Sequence, residues 1–270
     1  MNTNILLRKL AKRFPKRYAK ANHDYVGLMC GKLPNEVHKI FLCLDCDWEI
    51  FDLIKKEKPD IIITHHPFIY GTRARVFKHD ESKKALYDEM NKIGVPVYSF
   101  HTNFDTGNGG MNDALTEALE LTDIKTPEQD IMMRGGRLNK PMKVEEFALY
   151  AKDRLNVDYG LLIACGKPVV ETVAIIGGGG SGRWKLAKEL GYDIYISGDA
   201  PHHVRRDIVN AKYNYFDMPH EIEKIFMSTM KKILLDIDDS LEIVTVDHEK
   251  LPKVICWANK NRFHPQYILE

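Results

Sequence analysis

Apolar residues recur along this chain in short bursts that switch between two periods, and the alternation predicts an α/β fold. Phe41–Leu44, Asp60–Thr64 and Val95–His101 are apolar runs of strand length, separated by the helical patterns Trp48–Lys58 and His79–Gly94. A helix is expected over Asn112–Leu121, its start marked by Gly109-Gly110 and Asn112. Between Thr122 and Val144 the periodicity is interrupted by Pro127, Gly135, Gly136 and Pro141. It resumes with helix Val144–Leu155, strands Leu161–Ala164 and Val169–Ile176, helix Arg183–Leu190 and strand Ile194–Ser197. Helix His220–Leu235 and a late strand at Ile243–Asp247 complete the pattern. The expected organisation is two α/β lobes, residues 1–125 and 126–250, with residues 251–270 returning to the first.

Charge narrows the function classes. The 270 residues carry 39 basic and 38 acidic side chains, a formal net charge of +1. That balance lacks the electrostatic footprint of a dedicated nucleic-acid binder, and nucleic acid is not an expected partner. No apolar run has the length to cross a bilayer, so a soluble, cytoplasmic chain is expected. The first twenty residues hold Arg8, Lys9, Lys12, Arg13, Lys16, Arg17 and Lys20 without an acid. This basic stretch reads either as an organelle-targeting peptide or as an amphipathic first helix with Ile5, Leu6, Leu10 and Phe14 facing a core. The absence of Ser and the excess of Lys over Arg favour the helix. Five scattered cysteines point to reduced thiols and an intracellular protein. Cys43 and Cys46 sit on a strand, where residues three apart face opposite ways, and read as core cysteines.

The chemistry is concentrated at strand exits, where open α/β sheets place their ligands. Ile61-Ile-Ile-Thr ends in His65-His66-Pro67, and the two imidazoles can serve one metal or two neighbouring ones. His101-Thr-Asn-Phe-Asp105 follows the next strand. Asp105 offers an oxygen ligand able to bridge two cations, while His101 can ligate, hold a substrate or shuttle protons. Imidazole mixed with carboxylate suits zinc, iron or manganese better than calcium or magnesium. In Pro219-His220-Glu-Ile-Glu223, residues three apart share a helical face, so His220 and Glu223 can converge while Glu221 turns aside. Gly177–Gly182 matches G-x-G-x-x-G between a strand and a helix. It reads as a dinucleotide loop or, preferably, as a loop that lets backbone approach the metal site or an anionic substrate. Ser197-Gly-Asp199-Ala-Pro-His202-His203 is one more polar cluster at a strand exit.

Taken together these motifs resemble the Nif-three-like family of dinuclear-metal-centre hexameric proteins, whose members are often labelled GTP cyclohydrolase 1 type 2 homologues. The resemblance runs from Asp24-Tyr-Val-Gly-Leu28 and Leu44-Asp45 through Thr64-His-His-Pro67, His101-Thr-Asn-Phe-Asp105 and Asn112-Asp113. It continues through Gly177–Gly182, Ser197-Gly-Asp199 and His203 to His220. It implies two lobes with mixed sheets and a dinuclear site in the cleft between them, holding two divalent ions per chain. The implied ligands are His65, His66, Asp105, His220 and a terminal glutamate. The family places that glutamate four residues after the histidine, where this chain has Lys224, and Glu223 is the natural substitute.

Open coordination positions at such a site would activate water to attack an electrophilic carbon or phosphorus, with His101 or His203 as general acid or base. The resemblance implies a toroidal homohexamer and a small-molecule substrate such as GTP, opened at C8 of guanine with release of formate. A non-catalytic metal-binding or regulatory hexamer, and a ring that binds nucleic acid, are the alternative readings.

Overall fold

The alternating pattern folds into two mixed sheets, seen in a computed structural model that describes residues 1–250 and 252–255. The strands are β1 Gly27–Cys30, β2 Lys39–Cys43, β3 Ile61–Thr64, β4 Val97–Ser99, β5 Thr122–Lys125 and β6 Arg134–Lys143. They continue with β7 Leu161–Ala164, β8 Val169–Ile175, β9 Ile194–Gly198, β10 Asn214–Met218 and β11 Glu242–Thr245. The first sheet runs β1-β4-β3-β2-β11, parallel except for β1 at its edge. The second runs β5-β6-β8-β9-β10-β7 and is parallel only across β8, β9 and β10. Parallel strands deliver their carboxyl ends to one side, which is why polar residues just past β3, β4, β9 and β10 can be gathered.

Alternation along each strand divides the apolar residues between layers. Ile40, Leu42, Ile61 and Ile63 of the first sheet share one inner core with Val173, Ile175, Ile194 and Ile196 of the second. Helices Thr3–Arg13, Met111–Ala118, Val144–Arg154 and Ile225–Ile237 fill it. Phe41, Cys43 and Ile62 point the other way, against helices Phe51–Glu57 and Glu81–Ile93. Ala174, Ile176 and Tyr195 do the same in the second sheet, against Trp184, Ala187 and Ile208. Each fully buried Ile or Phe contributes roughly 1.5–3 kcal/mol. Separating the sheets would expose many of them, so the shared inner core fixes the two halves of the site relative to each other.

Three expectations are refined. The first helix buries Leu6, Leu10 and Phe14, but Ile5 is 43% exposed and Leu7 takes its place in the core. Asn2 caps this helix through its side chain, and the basic stretch is split by Pro15 before a short second helix, Lys16–Ala21. The interrupted stretch 122–144 contains β5 and β6, and β6 carries an irregularity between Arg137 and Met142 that accommodates Pro141. The strand ends at Cys43, so Cys46 lies past it rather than on its opposite face, and both thiols are free and buried beside Cys30. Burial pushes these thiols up, Cys30 to about 11, which makes them neutral packing groups. The chain is back in the first sheet at β11, ahead of residue 251; the segment 251–270, where the return is expected, lies outside the described residues apart from 252–255. Among the described residues no helix is long and apolar enough to cross a membrane.

Candidate metal centre

Four histidines converge, each fixed from behind. The ladder of β3 persists just beyond its end, where the His65 amide donates to Cys43 O at 3.3 Å and the His66 amide to Leu44 O at 2.9 Å. The strand then stops at Pro67, and the adjacent imidazoles, which would diverge on a regular strand, lie with centroids 4.9 Å apart. His65 Nδ1 donates to Phe100 O at 2.8 Å and His66 Nδ1 to Asp45 Oδ2 at 2.8 Å. His101 Nδ1 donates to Asp24 Oδ2 at 2.8 Å and His220 Nδ1 to Asp199 Oδ2 at 2.6 Å. An acceptor on Nδ1 orients each ring and turns Nε2 into the cluster, the arrangement that metal-binding histidines use.

Two carboxylates meet these nitrogens. Glu223 Oε2 lies 2.9 Å from His66 Nε2, 3.1 Å from His220 Nε2 and 3.3 Å from His65 Nε2. Asp105, on the short helix Thr102–Thr106, brings Oδ1 to 3.5 Å from His65 Nε2. Three overlapping sets result: His65, Asp105 and Glu223; His66, His220 and Glu223; His65, His66 and His101. Within each set the donor atoms lie inside 4.8 Å of one another, a spacing that can hold a metal ion. His65 Nε2 and Asp105 Oδ1 are buried without a hydrogen-bond partner. An unsatisfied buried polar atom costs about 1–3 kcal/mol, and a cation between these two would satisfy both. The donor set therefore fits a divalent ion of the nitrogen-and-oxygen-binding kind.

The turn that carries His220 and Glu223 explains the position of the glutamate. An α-helix is expected from His220, but residues His220–Lys224 form a 3₁₀ turn before the α-helix begins at Ile225. At three residues per turn, i and i+3 eclipse, so Glu223 stands over His220. Lys224 turns away and pairs with Asp247 at 3.1 Å. A glutamate at position 224 would follow Lys224 out of the cluster in this turn.

The glycine loop after β8 closes over the same carboxylate. Gly178 has φ +60°, and a Cβ there would lie 2.1 Å from Glu223 Oε1 and 3.1 Å from His220 Nε2. Only glycine permits this approach. Asn112 ties the loop to the helix that carries Asp105: its Nδ2 donates to Asp105 O at 3.1 Å and its Oδ1 accepts from the Gly177 amide at 2.8 Å.

Protonation follows burial and partners. Burial pushes His65 down to about 4 and keeps it neutral. Burial opposes charge on His66 too, but hydrogen bonds to Asp45 and Glu223 outweigh it and raise His66 to about 10. The hydrogen bond to Glu223 raises His220 to about 9 against the opposing effect of burial. Burial, with Glu223 alongside, drives Asp105 well above the usual carboxylate range. Glu223 stays well below it, because the surrounding imidazoles overcome its burial. In the metal-free chain, protons on His66, His220 and Asp105 thus occupy the space between the donors.

Of the residues singled out from the sequence, His65, His66, His101, Asp105, His220 and Glu223 come together. His203 does not join these sets; it is exposed in the first turn of helix His202–Asn210. That Asp24, Asp45 and Asp199 stand behind histidines is visible only in the structure. Asp45 and Asp199 do follow the ends of β2 and β9, the same signal that marked the histidines. Asp199 reaches His220 from a left-handed backbone, φ +55°, that Asp tolerates better than most residues.

Fold and cluster define a class: a two-sheet α/β protein whose His and carboxylate side chains can hold metal. The chain belongs to the DUF34/NIF3 (NGG1p interacting factor 3) family, whose profile matches residues 1–252. It is 29% identical over 251 residues to a Lactococcus lactis protein named GTP cyclohydrolase 1 type 2 homolog, covering 90% of this chain and 95% of that one. A Clostridium perfringens protein of the same name is 28% identical, covering 86% and 92%. The fold is shared with a Bacillus cereus protein related to NIF3, at TM-score 0.82 and 20% identity, over 95% of this chain and 99% of that one.

Proposed function

We propose that this chain is a metal-dependent hydrolase in which His65, His66, Asp105, His220 and Glu223 hold two divalent ions, such as zinc, iron or manganese. The observation that carries the reading is the sharing of Glu223 between two donor sets, with the unsatisfied His65 Nε2 and Asp105 Oδ1 beside it. A carboxylate that belongs to two donor sets would have an oxygen to offer to each of two neighbouring ions. When bound, such ions acidify water to a pKa of about 7 and polarise the oxygen of a carbonyl or phosphoryl group.

The protein's own part is positioning and proton transfer. Phe100 O, Asp45 and Asp199 hold the ligand rings in orientation. His101, backed by Asp24, presents Nε2 beside His65 and His66, its ring centroid 5.1 and 5.6 Å from theirs. From there it takes a proton from the attacking water and returns it to the leaving group. GTP is the first substrate to test, because the curated relatives carry the GTP cyclohydrolase 1 type 2 name. The reaction is opening of the guanine imidazole ring at C8, with release of formate.

The test is His101→Ala, assayed for formate release from GTP and for metal content. Turnover reduced at least about 100-fold with metal retained is the expected result. Undiminished turnover would remove His101 from the mechanism, and a wild type that is metal-loaded yet turns over no nucleotide would favour a metal-binding role without catalysis.

A further inference from the structure

A cavity of about 260 Å³ lies beside the candidate centre, and its charged lining is lopsided. Lys16 and Lys20 reach it from one face of helix Lys16–Ala21, and Arg73 from the start of helix Arg73–His79. Among the described residues none of these three cations forms an ion pair. Two are held by neighbours that place charge without neutralising it. Lys16 Nζ lies 5.6 Å from the Tyr98 ring centroid, in space kept open by Gly27, where a Cβ would stand 2.5 Å from it. The Arg73 guanidinium stacks 5.1 Å over Tyr87 and donates to Met29 O at 3.3 Å.

One carboxylate, Asp24, lines the same cavity, and its oxygens are occupied. Oδ1 accepts from the Tyr25 amide, and Oδ2 from His101 Nδ1, Thr102 N and Thr102 Oγ1. Asp24 is thus the wall between the cavity and the reaction centre. Across that wall runs an aromatic path. Tyr25 lines the cavity, Tyr70 lies 5.9 Å from Tyr25 and 6.2 Å from His101, and both tyrosines are exposed at 40% and 56%. Cations fixed without acids, joined to a histidine cluster by exposed rings, match a ligand with an anionic group at one end and a planar ring at the other.

We propose that this cavity is the anion subsite of the reaction centre: it takes the phosphate of a nucleotide-like substrate whose ring lies across Tyr25 and Tyr70, with the reacting atom toward His101. The proposal rests on the hydrolase reading above. Lys16, Lys20 and Arg73 supply charge-assisted hydrogen bonds to the phosphate, and the cation–π contacts hold two of them in place before it arrives.

The experiment titrates guanosine 5′-monophosphate and guanosine into the purified full chain by calorimetry. Three proteins are compared: wild type, Lys16→Gln/Arg73→Gln, and His220→Ala, which disturbs the metal cluster but not the cavity. Wild type is expected to prefer the monophosphate by about tenfold or more. That preference should collapse to about twofold in Lys16→Gln/Arg73→Gln and survive in His220→Ala. Lys20→Gln alone should give an intermediate loss and guards against a folding defect in the double variant. A preference that persists in the double variant, or disappears only in His220→Ala, would overturn the proposal by placing the phosphate on the metals. No preference in wild type would overturn it too. Failure here with metal content intact leaves the hydrolase reading standing, whereas a metal-free wild type removes that reading whatever the cavity binds.

Discussion

The two halves of the cluster are built differently. His65, His66 and His101 follow the ends of buried parallel strands, and the ladder of the sheet extends as far as the His65 and His66 amides. His220 and Glu223 come from a single 3₁₀ turn, held over the site by a glycine loop and by Asp199. The first half is a rigid template. The second is a short clamp whose geometry depends on one turn type and one missing Cβ. A change in the clamp should therefore act first on the site, at a cost in stability that leaves the chain folded, while a change in the template disturbs the sheet as well.

The largest expected effect is at Gly178. Gly178→Ala puts a methyl group into the space of Glu223 Oε1 and forces a left-handed backbone on a residue with a Cβ. A stability loss of about 1–3 kcal/mol is expected, with most of the bound metal lost. Thermal unfolding and elemental analysis on the same sample read both, and an unchanged metal content would break the picture of a clamp.

Removing the carboxylates behind the histidines should have the next largest effect. Asp45→Asn and Asp199→Asn are each expected to weaken metal affinity by about 10–100-fold without unfolding the chain. Chelator competition measures this. Equal losses would show that template and clamp depend on their outer partners alike, and no loss in either would remove the carboxylates from the account.

Acid and alkali should act on different residues. His66 and His220 are raised to about 10 and about 9, so their contribution is fully present below the ordinary histidine value of 6.5 and is lost as pH rises through those values. His65 is depressed to about 4, so its contribution is present above 6.5 and is lost as pH falls toward 4. The melting temperature of metal-free protein should therefore decline on both sides of about pH 6.5, by on the order of 5 °C on the alkaline side. Metal-loaded protein, with its imidazoles already neutral, should lack the alkaline decline. Calorimetry at a series of pH values separates the two.

The same contrast governs how much could be read from the sequence. Template residues were legible because Ile61–Thr64 announces a buried strand and Pro67 its end, so His65 and His66 had to lie at an exit. The clamp was legible only as a pattern. Residues three apart share a face in both α and 3₁₀ turns, so the spacing brings His220 and Glu223 together in either. Distant partners were not legible in the same way. Nothing local ties Asp24 to His101 across 77 positions, or Asp45 to His66 across 21. Strand β6 was hidden because Gly135, Gly136 and Pro141 read as breakers, whereas Gly135 makes room for the Tyr192 ring and Pro141 falls in an irregular stretch.

The most direct test is the metal content per chain of protein purified without chelator or added metal, for wild type, Glu223→Ala and Glu223→Ala/Lys224→Glu. The account predicts about two ions in wild type, a clear loss in Glu223→Ala, and no recovery when the glutamate is moved one residue on, because position 224 faces Asp247 in this turn. Full metal content in Glu223→Ala, or a folded wild type that stays empty when offered zinc, manganese or iron, would contradict it.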